Sequence, residues 1–149
     1  MKRQIPRYAL WGGLLLSTAF AMWSGLRPYS WHSDPGARCE VVETLLTRDQ
    51  SFFWVNVHLK MTPGTSHDMQ KPIRLETAGG RKLEPADITL GAQDGREPPE
   101  IWVKFWLEAT DLNGPLTLHL NDGKLQIKAS MGIPKLETSS FKNFTTHQW

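Results

Sequence analysis

Strict alternation of apolar and polar residues is the feature that most constrains this chain. In residues 52–61 every second side chain is apolar, from Phe53 to Met61, and residues 101–107 and 116–120 repeat the pattern. Because successive side chains of a β-strand point to opposite faces, each run predicts a strand with one buried face. The predicted buried residues are Phe53, Val55, Val57, Leu59, Met61, Ile101, Val103, Phe105, Leu107, Leu116, Leu118 and Leu120.

Four more segments have the composition of strands and are bounded by turn residues. They are residues 39–47, 72–77, 82–90 and 124–129. Gly79 and Gly80 allow a tight turn between two of them, and Asp122-Gly123 is a strong hairpin signal. Pro85 marks an edge or a bulge, since proline cannot donate a ladder hydrogen bond. The chain therefore predicts an all-β fold, a seven-stranded antiparallel sandwich.

The order of these segments resembles a known group of domains. A strand such as residues 52–59, a glycine hairpin at 78–83, a strand at 101–107 and a closing hairpin are similar to bacterial immunoglobulin-like domains of unknown function. Those domains follow an N-terminal membrane anchor or lipid. The resemblance covers about residues 38–129 and implies an immunoglobulin-like fold, a binding or scaffolding role and no catalytic residues.

Residues 8–26 carry no charged side chain and are rich in leucine. At about 1.5 Å per residue they span about 28 Å, so the segment predicts a single transmembrane helix. Lys2, Arg3 and Arg7 precede it, which predicts a cytoplasmic N-terminus and a periplasmic or other extracytoplasmic domain at the cytoplasmic membrane. Aromatic side chains at both ends predict contacts with the lipid bilayer interface: Tyr8, Trp11, Trp23 and Trp31.

An alternative for the N-terminal segment is a cleaved secretory signal. Ala19-Phe20-Ala21 fits the small-x-small cleavage pattern, which would leave a mature chain starting at Met22. Cys39 is the only cysteine, so it forms no intramolecular disulfide. We predict that it is a small buried residue of the first strand, with lipid attachment as the alternative.

The domain organisation predicted from these features has five parts. They are a cytoplasmic N-terminus (1–7), a transmembrane helix (8–26), a linker (27–37), a β-sandwich (38–129) and an extended C-terminal tail (130–149). The tail has neither helical nor strand periodicity. It is therefore expected to pack on its own sandwich or along a neighbouring subunit.

The residues of this chain predict no enzyme, no cofactor and no metal site. All 15 acidic residues lie beyond residue 27, so the domain lacks the basic surface of a nucleic-acid-binding protein. The histidines are scattered, and no serine lies in a nucleophile turn. The alternative is a copper-handling protein whose soft ligands gather around residues 62–71: His58, Met61, His67 and Met69.

The predicted partner-binding residues are aromatic. Trp54, Trp102 and Trp106 alternate with the apolar rows, so they face outward unless loops or the tail cover them or the opposite face is the core. Three tail residues join them as predicted contacts: Phe141, Phe144 and Trp149. We therefore expect a non-catalytic accessory subunit that docks onto other membrane-protein subunits, with a photosynthetic or respiratory complex as a possible host. The alternative is a free-standing periplasmic binding or adhesion module.

Overall fold

The computed structural model describes residues 7–25, 31, 33–91 and 99–149, which form an N-terminal helix and two antiparallel sheets. Helix α1 spans Arg7–Gly25, and a short 3₁₀ helix at Pro35–Ala37 leads into the first strand. The strands in the described residues are β1 (Cys39–Asp49), β2 (Phe52–Met61), β3 (Arg74–Thr77), β4 (Lys82–Leu83), β5 (Asp87–Leu90), β6 (Glu100–Glu108), β7 (Leu116–Leu120), β8 (Gly123–Lys128) and β9 (Phe141–Phe144). Helix α2 (Ala109–Leu112) lies between β6 and β7.

The strands form a five-stranded sheet in the order β5-β6-β2-β1-β9 and a four-stranded sheet in the order β4-β3-β7-β8. All neighbouring strands are antiparallel. The predicted all-β fold of two antiparallel sheets is confirmed.

The core lies between the apolar faces of the two sheets. All twelve residues that the alternation predicted to be buried are buried. The four-stranded sheet adds Leu75, Leu125 and Ile127, which are fully buried. Each large apolar side chain removed from water contributes about 1.5–3 kcal/mol, so this double row is the main source of stability.

The number of strands differs from the predicted seven. The single strand predicted at 82–90 is two strands, because the chain leaves one sheet and enters the other around Pro85. Strand β4 pairs with β3 in the four-stranded sheet, whereas β5 pairs with β6 in the five-stranded sheet. Proline has no N–H to continue a ladder, which is why the chain can change sheets here.

The C-terminal segment contains the other additional strand. Strand β9 pairs with β1, so Phe141 lies opposite Thr47 and Phe144 opposite Thr44. Trp149 is buried, and its ring stacks on Phe144 at 4.4 Å between centroids. Of the two arrangements expected for the tail, the structure shows packing on its own domain.

Lys128, the last residue of β8, is a fully buried cation beside this segment. Its ammonium group donates hydrogen bonds to the carbonyls of Ser130 (2.5 Å) and Gly132 (2.9 Å). Burial lowers the pKa of Lys128 below its usual range. These carbonyl contacts offset the cost of burying the charge and hold the start of the tail against the sandwich.

Helix α1 forms over nearly all of the residues predicted to span the membrane. Among the residues that the structure describes, however, no helix is both long and apolar enough to cross a membrane. The helix contains Gly12, Gly13, Ser17 and Thr18 in its middle turns, and these residues lower its hydropathy. Leu26, the last residue of the predicted span, lies outside the described residues, as do residues 1–6 and, in the predicted linker, residues 27–30 and 32.

Candidate docking surface

The outer face of the five-stranded sheet carries most of the predicted partner-binding residues. In the β2–β6 register, Trp54 lies directly opposite Trp106 and His58 opposite Trp102. Residues that are paired across an antiparallel ladder point to the same face of the sheet. We define the aromatic face as the outward side chains Phe52, Trp54, His58, Trp102, Lys104 and Trp106.

One half of the aromatic face is a cluster of three rings and a cation. The Phe52 and Trp106 rings lie 4.8 Å apart between centroids, with 38 % and 37 % of the two residues exposed. The Lys104 Nζ atom lies 4.4 Å from the centre of the Trp54 ring, within the range of a cation–π interaction. The cluster combines apolar surface with a fixed positive charge.

The other half is built on a stacked pair of rings. The imidazole of His58 lies parallel to Trp102, with centroids 4.6 Å apart and an interplanar angle of 11°. His58 Nε2 lies 3.1 Å from a carboxylate oxygen of Glu100, and Nδ1 lies 3.9 Å from one of Glu43. The contact with Glu100 is within hydrogen-bond distance and orients the ring against Trp102, whereas Glu43 is a more distant negative charge.

A polar atom lies between these two halves. Asn56 is opposite Lys104 on one side and Leu45 on the other, in the row between Trp54 and His58. Its Oδ1 atom is buried and has no hydrogen-bond partner among the described residues. Because this acceptor is buried, the neighbouring side chains of the face cover it.

The tail residues predicted to bind a partner separate into two groups. Phe141 extends the row of Trp54 and Trp106 through its pairing with Thr47, and 72 % of the residue is exposed. Phe144 points inward with Thr44 and packs on the core, and Trp149 is buried beside it. Phe141 therefore joins the outward surface, whereas Phe144 and Trp149 contribute to the fold.

The residues predicted at the membrane interface also separate. Tyr8, Trp11 and Trp23 lie on α1 with largely exposed side chains. Trp31 instead packs on the core of the domain, and its Nε1 atom donates to the carbonyl of Val42 at 3.3 Å. Trp31 is therefore held by the sandwich, apart from the aromatic residues of the helix.

The four soft ligands of the copper alternative are not brought together as one group. His58 belongs to the aromatic face, whereas Met61, His67 and Met69 line a separate cavity. Among the described residues, no group of three or more His, Cys, Asp and Glu side chains is arranged to hold a metal ion. Methionine sulfurs are not among these four ligand types, so this finding does not concern Met61 and Met69.

Cys39 is buried on the inner face of the five-stranded sheet, opposite Met61. Burial is the main cause that raises the pKa of its thiol to about 12, with the charge of Glu40 as the smaller cause. The side chain is therefore a protonated thiol packed in the core, as an apolar residue would be.

Several residues of the surface were not identified from the sequence. Lys104 and Phe52 join the tryptophans only through the pairing of β2 with β6, and the stacking of His58 on Trp102 has the same origin. The alternation within each strand places Lys104 on the same outward face as Trp102 and Trp106. It does not show which residues of β2 lie opposite them, because that depends on the register between the two strands.

Comparison of the chain with protein-family models, with curated proteins and with solved structures finds no match.

Proposed function

We propose that this chain is a non-catalytic accessory subunit that binds another protein through the aromatic face and Phe141. The observation that carries the proposal is the row formed by Phe141, Trp54 and Trp106, with Phe52 against it. Tryptophan is enriched at the energetic centres of protein interfaces, where its ring buries a large area. The Lys104 cation would supply polar specificity.

We propose further that α1 attaches the subunit to a larger membrane complex. Its side chains from Tyr8 to Trp23 carry no charge, and several large apolar ones are largely exposed, among them Leu15, Leu16 and Phe20. An uncharged apolar helix is stable when lipid or protein covers it. The cations Lys2 and Arg3 before the helix would favour a cytoplasmic N-terminus.

The finer assignment of the domain as immunoglobulin-like is also a proposal, and the strand order supports it. An immunoglobulin constant domain has strands A, B, E and D in one sheet and C, F and G in the other. Here β1, β2, β6 and β5 follow the first order, and β3, β7 and β8 follow the second. Strand β4 then corresponds to an additional edge strand, and β9 extends the sheet beyond β1.

The docking proposal is tested with substitutions at exposed positions that leave the core intact. We expect Phe141→Ser combined with Trp106→Ser to weaken partner retention by about thirtyfold, the loss of roughly 2 kcal/mol that defines a hot spot. The measurement is quantitative affinity purification of the tagged full-length chain from its native membranes. Met131→Ser is the matched control, because Met131 is 75 % exposed outside the aromatic face.

Equal recovery of companions by the double variant and the control would refute the docking surface. Thermal unfolding of both variants separates a docking defect from a folding defect. A wild-type chain that sediments as a monomer after mild detergent extraction would favour the free-standing binding module instead.

The membrane proposal has its own measurement. We expect the full-length chain to stay in the membrane pellet after extraction with alkaline carbonate, which removes proteins held by charge alone. Replacing Leu14, Leu15 and Leu16 together by serine should release it, because these three consecutive leucines present large exposed apolar side chains on α1. Release of the wild-type chain by carbonate would overturn the attachment.

A further inference from the structure

A cavity of about 240 Å³ lies at one end of the sandwich, away from the row of Trp54 and Trp106. Met61, His67 and Met69 line it, and we call it the methionine pocket. The end of β2 supplies Met61, and the following loop supplies His67 and Met69. The cavity therefore collects two thioethers and one imidazole from a short stretch of chain. Glu100 also lines it, and a carboxylate oxygen of that residue contacts His58 Nε2 at 3.1 Å.

The hydrogen bonds around His67 determine which of its two ring nitrogens carries the proton. Asn121 donates from Nδ2 to the carbonyl of Ala37 at 2.7 Å, and its Oδ1 accepts the Asp68 N–H at 2.9 Å. Since a backbone N–H can only donate, the amide orientation is fixed and Oδ1 is an acceptor. The same oxygen lies 2.9 Å from His67 Nδ1, so that nitrogen carries the proton. In the neutral ring, Nε2 then holds an unshared electron pair.

This is the arrangement that a metal-binding histidine requires. Such histidines donate a hydrogen bond from one ring nitrogen to a carbonyl or carboxylate, which orients the ring and leaves the other nitrogen free to coordinate. The side-chain oxygen of Asn121 accepts this hydrogen bond from His67, and the contacts with Ala37 and Asp68 fix the position of Asn121. Contacts within the protein therefore orient the His67 ring before any metal binds.

The ligand types select the metal. Thioether sulfur is a soft ligand that favours Cu(I), whereas imidazole suits copper, zinc, iron and nickel. Hard cations such as Mg²⁺ and Ca²⁺ prefer oxygen ligands, and Zn²⁺ sites are built mainly from Cys, His and carboxylates. Copper in its reduced state is the metal that both ligand types share.

We propose that the methionine pocket binds one Cu(I) ion through Met61, His67 and Met69. The pocket adjoins the His58 half of the aromatic face, because Glu100 lines the pocket and also contacts His58, but none of the three proposed ligands belongs to that face. Cys39 is the competing soft group, but it is buried in the core and only 3 % exposed. Met69, by contrast, is 73 % exposed and accessible to a metal donor.

The direct test uses the wild-type full-length chain in detergent with labelled methionine methyl groups. Cu(I) is delivered without oxygen from its bathocuproine disulfonate complex, and methyl NMR spectra are recorded during the titration. The chain has five methionines. We expect the Met61 and Met69 methyl resonances to shift and to saturate at one equivalent, while those of Met1, Met22 and Met131 stay in place. Shifts of all five, or of neither pocket methionine, would overturn the proposal.

Conservative substitutions supply the second test. Met69→Leu keeps the size of the side chain and removes the sulfur, so we expect the Cu(I) affinity to fall by about tenfold or more. Met131→Leu is the matched control at a similarly exposed methionine and should leave the affinity unchanged. Cys39→Ala should also leave it unchanged. Binding that is lost in Cys39→Ala but kept in Met69→Leu would assign the metal to the thiol and refute the pocket.

Discussion

The two sheets have similar inner faces and very different outer faces. Both inner faces are apolar, because they form the same core. The outer face of the four-stranded sheet is polar: a carboxylate oxygen of Glu76 lies 2.5 Å from His119 Nε2, and Thr117 and Gln126 lie in the same row as Glu76. The outer face of the five-stranded sheet carries three tryptophans. A core thus determines only one side of each sheet, and the other side is free to differ in composition.

The largest expected effect separates an inner residue from its outer neighbour on β6. Phe105→Ala should destabilise the domain by about 3–5 kcal/mol, since it opens a cavity at a fully buried ring. Trp106→Ala, one residue on, should cost clearly less in chemical denaturation, because Trp106 is partly exposed. Equal losses of stability in the two variants would show that the aromatic face is a second core, and the two faces of β6 would then not differ.

The next effect is a pH dependence of stability that arises from Cys39, which lies on the inner face of the five-stranded sheet. The pKa of Cys39 is raised from 9.0 to about 12 in the folded chain. Between these values the unfolded chain releases the thiol proton and the folded chain retains it, so stability falls as pH rises. We expect the wild-type chain to lose more stability than Cys39→Ala from pH 9 to 12 in denaturant titrations.

The same residue gives a kinetic measurement. In the folded domain, Cys39 should react with a thiol-specific reagent at pH 8 only as fast as the sheets open. Rapid labelling under native conditions would place the thiol at the surface and contradict the inner face described here.

The smallest expected change in stability comes from replacing one lysine on the outer face of each sheet. Lys104→Met removes the cation above Trp54 and should cost about 0.5–1 kcal/mol, the usual value of a partly exposed cation–π contact. Lys124→Met, on the exposed β8 position of the other sheet, should change stability by less than about 0.5 kcal/mol. A double-mutant cycle with Trp54→Leu measures the coupling, and an absent coupling energy would remove Lys104 from the cluster.

The sequence predicted the inner faces well because burial follows a local period. Residues such as Phe53, Val55 and Val57 alternate within one strand, so neither a partner strand nor a register is needed to assign them. The same local reasoning missed the change of sheet at Pro85, because two short strands joined by a proline have the composition of one longer strand. It also overestimated the apolar character of residues 8–26.

The docking face and the tail depend on contacts between distant parts of the chain. Strand β9 has no recognisable period, and it forms because β1, about a hundred residues earlier, has a free edge. Phe141 and Phe144 therefore receive opposite orientations that the sequence does not reveal. The three ligands of the methionine pocket are close in sequence, but the role of His67 requires Asn121, which comes from a different hairpin.

The pairing of β9 with β1 also determines how the domain responds to force. The two strands are antiparallel, so the start of β1 and the end of β9 lie at the same end of the ladder. Tension between α1 and the C-terminus therefore loads the hydrogen bonds of this pair one after another, as in a zipper, rather than all at once in shear. Once Trp149 leaves its site, the last strand can peel away at low load while the other strands of the described sheets stay folded.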